Sequence, residues 1–138
     1  MPERPDAVEQ ALRALRHRDR STAELDARLA RRGVAPAARE QALETLERIG
    51  YLDDERFARR RAEQLADRGS GDALIRHDLE ERGITSEHVE AALASLGPEH
   101  ERVARIVDRR GPGDKTARYL ASRGFSADAV EVAVARED

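Results

Sequence analysis

The chain has 138 residues, with 25 Lys plus Arg against 28 Asp plus Glu and a net charge of −3 at neutral pH. That length suits one domain or a few small stacked units and excludes two large ones, and the absence of Cys excludes disulfides, thiolate chemistry and Cys-type zinc sites. No run approaches the ~18 apolar residues of a membrane span and no apolar signal region opens the chain, so a soluble intracellular protein is expected.

Charged residues reach 38%, but the apolar ones recur at helical intervals, which reads as solvated helix faces and not as disorder. Residues 1–5, with two prolines, are expected to form a loose tail. A first helix carries Leu12 and Leu15 and ends near Arg18. Ser21 and Glu24 form a capping box that opens the second. Leu25 and Leu29 lie on one face of it as i and i+4, and Arg32-Gly33 ends it. The glycine takes the left-handed C′ conformation there, and the cation sits at the negative end of the dipole. Pro36 opens a third helix as a first-turn residue, with Ala42 and Leu43 along it. Gly50 ends that helix, Tyr51 and Leu52 are apolar plugs, and Asp53 or Asp54 caps the next.

The same grammar then recurs. A helix with Ala62 and Leu65 ends at Arg68, and Gly69-Ser70-Gly71-Asp72 leads into one with Ile75 and Leu79 that Arg82-Gly83 stops. Thr85 caps a helix with Ala92 and Leu93, which Gly97-Pro98 terminates. Val103 and Ile106 lie on a helix ending at Arg109, followed by Gly111-Pro112-Gly113-Asp114. Thr116 and Leu120 precede Arg123-Gly124, and Ser126 caps a last helix with Ala133 and Val134.

Superposing Gly33, Gly83 and Gly124 without gaps aligns Leu25, Ile75 and Thr116 eight residues before the glycine, and Leu15, Leu65 and Ile106 eighteen before it. Ala42, Ala92 and Ala133 align nine residues after it. The fold class is therefore all-α: three tandem three-helix repeats, with residues 6–52, 53–97 and 98–138 as the units. A unit this small buries its own face poorly, so the units are expected to stack into a short curved rod. The 54 apolar residues include 24 Ala and only four aromatics, so each core must be thin and built from closely approaching helices. Arg39 stands where the other repeats have Val89 and Val130, which predicts a looser first repeat.

Ser21-Thr-Ala-Glu-Leu25, Leu29-Ala-Arg-Arg-Gly33 and Gly50-Tyr-Leu-Asp-Asp-Glu-Arg-Phe57 resemble the first half of the RecX family. Arg68-Gly69, Leu74-Ile75, Leu79 and Arg82-Gly83-Ile84 are similar to its middle, and Lys115-Thr-Ala-Arg-Tyr-Leu120-Ala-Ser-Arg-Gly-Phe125 to its end. The resemblance implies a bacterial cytoplasmic modulator of the RecA recombinase that binds the RecA–DNA filament along its groove. It also implies inhibition of filament growth, ATP hydrolysis and strand exchange, by a protein with no cofactor, metal, ATP site or small-molecule substrate. A monomer is expected.

Arginine supplies 24 of the 25 basic residues, with Lys115 the exception. Arg32, Arg82 and Arg123 recur one residue before each glycine, and Arg18, Arg68 and Arg109 fifteen before it. Cations in these places cap helices. They also form a line of guanidinium groups able to meet carboxylates or phosphates by bidentate bonds along a rod. Arg68, Arg109, Arg110, Lys115, Arg118 and Arg123 are the expected contacts with the RecA filament or DNA phosphate, with Arg76 and Arg82 beside them. The two Gly-x-Gly turns offer backbone N–H groups to a phosphate, which supports an alternative: a non-specific DNA-binding module acting without RecA. A helical adaptor for another protein is the third reading. Residues 53–97 carry seven Arg against eleven Asp plus Glu, where a nucleic-acid reader is expected to be basic. The basic run Arg59-Arg60-Arg61 is neutralised by Glu55, Glu63 and Asp67 and reads as a solvated face. Scattered histidines lack metal-ligand spacing, and the capping box accounts for Ser21 near His17 without nucleophilic chemistry.

Overall fold

The computed structural model describes residues 6–135; the tail expected at 1–5 lies outside them. Among the described residues there are nine helices and no strand: α1 (Ala7–His17), α2 (Thr22–Arg31), α3 (Pro36–Arg48), α4 (Asp54–Asp67), α5 (Asp72–Glu81), α6 (Ser86–Ser95), α7 (Glu99–Arg110), α8 (Asp114–Ser122) and α9 (Ala127–Ala135). The helices pack as three successive trios. Each trio closes around its own apolar cluster: Ala11, Leu25, Leu29 and Leu46 in the first, Ala58, Ile75, Leu79 and Val89 in the second, Val103, Ile106, Leu120 and Ala133 in the third. Alanines such as Ala11, Ala62 and Ala133 are fully buried and let neighbouring helices approach closely.

Helix ends follow the local chemistry. Ser21 Oγ accepts from the Glu24 N–H at 3.1 Å, and Glu24 Oε1 accepts from the Ser21 N–H at 3.0 Å. Asp53 caps α4 by accepting from the Arg56 N–H, and Pro36 begins α3. Ser126 Oγ accepts from the Ala129 N–H, whereas Thr85 makes no side-chain cap bond at α6. Tyr51 is not a plug: Leu52 is 3% exposed but Tyr51 is 61% exposed, because successive residues of this short connection face opposite ways and only one reaches the first core. Nor does Arg39 loosen the first trio. Its Nε donates to Asp26 and its Nη1 to the Val34 carbonyl, both at 2.9 Å, tying α3 to α2.

Consecutive trios meet end on, through polar groups. The C-terminus of α5 abuts the N-terminus of α2, where Ser21 Oγ donates to the Arg82 carbonyl at 2.6 Å. Asp54, the first residue of α4, accepts from the Thr22 N–H at 2.8 Å. The next junction repeats the plan: the Gly71 N–H donates to the Arg123 carbonyl at 2.7 Å and the Ala73 N–H to the Gly124 carbonyl at 3.2 Å. Glu99, the first residue of α7, accepts from the Asp72 N–H at 3.2 Å. In both, a helix N-terminus receives a carbonyl end and a carboxylate, so orphan groups and opposed dipole ends are satisfied together.

The superposed glycines share a backbone conformation but not surroundings. All three have positive φ, between 77° and 84°. A Cβ on Gly83 would run into Ala23, and one on Gly124 would meet Leu74 at 2.7 Å, whereas one on Gly33 would meet nothing within 4 Å. Gly33→Ala is therefore expected to lower the unfolding free energy by about 1–2 kcal/mol, the left-handed strain alone. Gly83→Ala should lose roughly 1–3 kcal/mol more from overpacking. Urea denaturation of the two variants checks this, and equal losses would contradict the junction described.

Candidate partner-binding surface

The expected contact arginines divide into those the fold consumes and those it leaves exposed. Arg82 belongs to the first junction. Its Nε donates to Asp78 Oδ1 and its Nη1 to Glu24 Oε2, both at 2.9 Å. Arg61 clamps the same Asp78 carboxylate with two bonds of 2.9 Å. Arg123 belongs to the second junction, where its Nη2 donates to the Arg68 carbonyl at 3.1 Å and to Ser70 Oγ at 3.3 Å. Arg76 forms a bidentate pair with Glu90. Arg68, Arg109, Lys115 and Arg118 are exposed, and among the described residues none has a side-chain hydrogen bond or ion pair. The Arg110 guanidinium lies over the Tyr119 ring, 3.6 Å from its centroid, a cation–π contact that restrains the side chain.

The ladder of arginines is real in part. Arg18 and Arg82 line a groove of about 320 Å³ at the first junction, and Arg68 and Arg123 a matching groove of about 500 Å³ at the second. Arg109 departs from the pattern. It faces a cleft of about 680 Å³ between α4 and α7, with Arg105 on its own wall and Glu63 and Asp67 opposite. The first Gly-x-Gly turn is not open to a ligand, because Gly71 lies against the backbone of Gly124 and Phe125 and its N–H is spent on Arg123. Ser21 is likewise engaged on both sides, as N-cap acceptor and as donor to Arg82. No group of three metal-ligating side chains forms among the described residues, and no helix there is long and apolar enough to cross a membrane.

Three buried or clamped arginines escape sequence reasoning: Arg20, Arg61 and Arg102. Arg102 is 7% exposed, donates to Asp72 Oδ1 at 2.6 Å across the second junction and lies over Phe125. A signal for two of them exists. Twenty-two residues before the superposed glycines stand Ala11, Arg61 and Arg102, so arginine appears there only in trios that dock onto a preceding one. Arg61 thus ties α4 to α5 within the second trio, beside the first junction, and is not part of a solvated face.

Sequence comparison places these features in a known group. Residues 7–46 match the family described as RecX, first three-helix domain, and residues 53–93 match RecX, second three-helix domain. The chain belongs to the RecX family. Regulatory protein RecX of Xanthomonas axonopodis pv. citri (strain 306) is 36% identical over 136 residues, covering 91% of this chain and 84% of its own. Regulatory protein RecX of Stenotrophomonas maltophilia (strain R551-3) is 34% identical over 139 residues, covering 94% and 85%. The crystal structure of RecX from Lactobacillus salivarius superposes with a TM-score of 0.79 at 18% identity, over 94% of this chain and 93% of that one. A second RecX crystal structure gives 0.76 at 19% identity, over 96% and 70%. The serial trios are thus a RecX fold.

The Arg61 hydrogen bonds, reinforced by Arg82 and opposed by desolvation, hold the Asp78 carboxyl below its usual range. A carboxylate whose pKa is depressed in the folded state contributes stability above its unfolded pKa and loses it as the pH falls through the folded value. At neutral pH, Asp78→Asn should therefore cost about 1.5–3 kcal/mol. The gap from the parent protein should close progressively as the pH drops below about 4, in urea titrations run at each pH.

Proposed function

We propose that this chain regulates the RecA recombinase by lying across several subunits of the RecA–DNA filament, and that it inhibits filament growth, ATP hydrolysis and strand exchange. It acts by occupying surface, with no catalytic chemistry, cofactor or ATP of its own, as a cytoplasmic monomer of three units, residues 6–52, 53–97 and 98–138. Membership of a family of regulatory proteins supports the reading. The observation that carries it is the distribution of uncommitted charge. Arg105, Arg109, Lys115 and Arg118 lie exposed on α7 and α8 without acceptors among the described residues, while Arg82, Arg102 and Arg123 are spent on the junctions.

A serial stack presents such cations over a greater length than a globule of equal mass. A periodic polymer offers carboxylates at matching intervals, and guanidinium–carboxylate pairs set register as well as affinity. Arg110, stacked on Tyr119, has less side-chain entropy to lose on contact.

Reversing Arg109→Glu with Arg110→Glu should raise the concentration needed to half-inhibit RecA-driven ATP hydrolysis about ten-fold or more, equivalent to ~1.4 kcal/mol of lost binding. Helix content by circular dichroism should not change. Undiminished inhibition would remove this patch from the interface.

A further inference from the structure

We propose that the cleft between α4 and α7 is an autoinhibitory latch. Glu63 and Asp67 of the second trio bind Arg105 and Arg109 of the third when the two trios swing together, and so withhold those arginines from an acidic partner. The identity of that partner rests on the RecA reading above, whereas the latch is a property of this chain alone.

Glu63 and Asp67 stand one turn apart on α4, and Arg105 and Arg109 one turn apart on α7. All four are exposed, and they line opposite walls of the cleft. The spacing is i, i+4 on both sides, ~6 Å of helix rise, so two anions face two cations at matching intervals. None of the four has an ion pair among the described residues, and no hydrogen bond joins α4 to α7 there. Of the other charged groups lining the cleft, Arg102 is held by Asp72 at 2.6 Å, and Asp108 shares the arginine wall. Like charges at i, i+4 destabilise a helix, and bringing the opposite stripes together offsets that repulsion on both helices at once.

The fold does not require this arrangement. Counted from the superposed glycines, Arg13 and His17 of the first trio correspond to Glu63 and Asp67, and Gln64 and Arg68 of the second correspond to Arg105 and Arg109. Opposed charge at these positions is therefore confined to the second junction. The connection there permits movement: α7 follows α6 through Gly97-Pro98, with Gly97 at φ 79°. The apolar clusters on either side are separate, so a swing about this connection unpacks neither. Exposed ion pairs are individually weak, which keeps open and closed forms close in free energy. Carboxylates of a partner can then displace Glu63 and Asp67, and the apparent affinity for that partner is reduced by the open fraction.

Two measurements on the full chain test this. Without RecA, the Arg109→Lys variant is treated with a zero-length carbodiimide, which joins an amine only to a carboxylate in contact with it, and the monomer is digested for mass spectrometry. A crosslink from position 109 to Glu63 or Asp67 is expected, and raising the salt to ~0.5 M should suppress it by screening. With RecA, Glu63→Gln together with Asp67→Asn should lower the concentration that half-inhibits ATP hydrolysis about three-fold, the gain expected when roughly a third of the parent is open. The same two substitutions made on top of Arg105→Gln and Arg109→Gln should change nothing. Glu44→Gln with Glu47→Gln, an equal charge change on α3, should bring no gain. Absence of the crosslink would overturn the latch whatever RecA does. An unchanged half-inhibiting concentration, or an equal gain from the α3 control, would overturn the withholding of the arginines. A parent chain that leaves RecA unaffected while the crosslink forms would overturn the RecA reading and support the latch.

Discussion

The architecture depends on one contact made twice: the carbonyl end of a second helix seated on the N-terminus of the second helix before it. Arg82 meets Ser21, and Arg123 meets Gly71. Each seat is completed by the first residue of the following trio's first helix, Asp54 or Glu99, which accepts from an otherwise orphaned N–H. Such a joint satisfies backbone groups that water would have to satisfy at a free end. Because it is polar and close, it requires a glycine beside the carbonyl and admits little apolar surface, so each of the three clusters stays within its own trio.

The joint also explains how the arginines are shared between scaffold and function. Arg61 and Arg82 converge on Asp78 within the second trio, Arg82 also reaches Glu24 across the first junction, and Arg102 reaches Asp72 across the second. These are charge-assisted, partly desolvated bonds, each more consequential than an exposed ion pair. Arg109, Lys115 and Arg118, exposed on α7 and α8, have no such partner among the described residues. Scaffold and surface are thus built from one residue type and told apart by whether a carboxylate of the same chain is within reach.

Much of the fold was legible because its signals are local. Glycine at C′, a Ser–Glu box and i, i+4 leucines are each set by a single turn of backbone, and superposing three glycines exposed the repeat. The contact residues were less legible because their partners are remote in sequence: Glu24 lies 58 residues from Arg82, and Arg68 lies 55 from Arg123. Periodicity shows which face a residue occupies but not which neighbouring trio that face meets. Arg20 was missed because nothing near it in the chain indicates burial, and Tyr51 was misread because an irregular connection has no period. The Ala11, Arg61 and Arg102 column shows that comparing internal copies recovers part of this, since a repeat that docks differs from one that does not.

Separate cores joined by hydrogen bonds have a consequence for folding. Among the described residues no apolar side chain belongs to two clusters, so each trio gains most of its burial energy alone and the joints add a nearest-neighbour increment. Nucleation can begin in any of the three and spread in either direction, over short sequence separations that favour rapid folding. The outer trios each have one neighbour and the central trio has two, so backbone amides of α4 and α5 should exchange most slowly with solvent, and opening should travel inward from the ends.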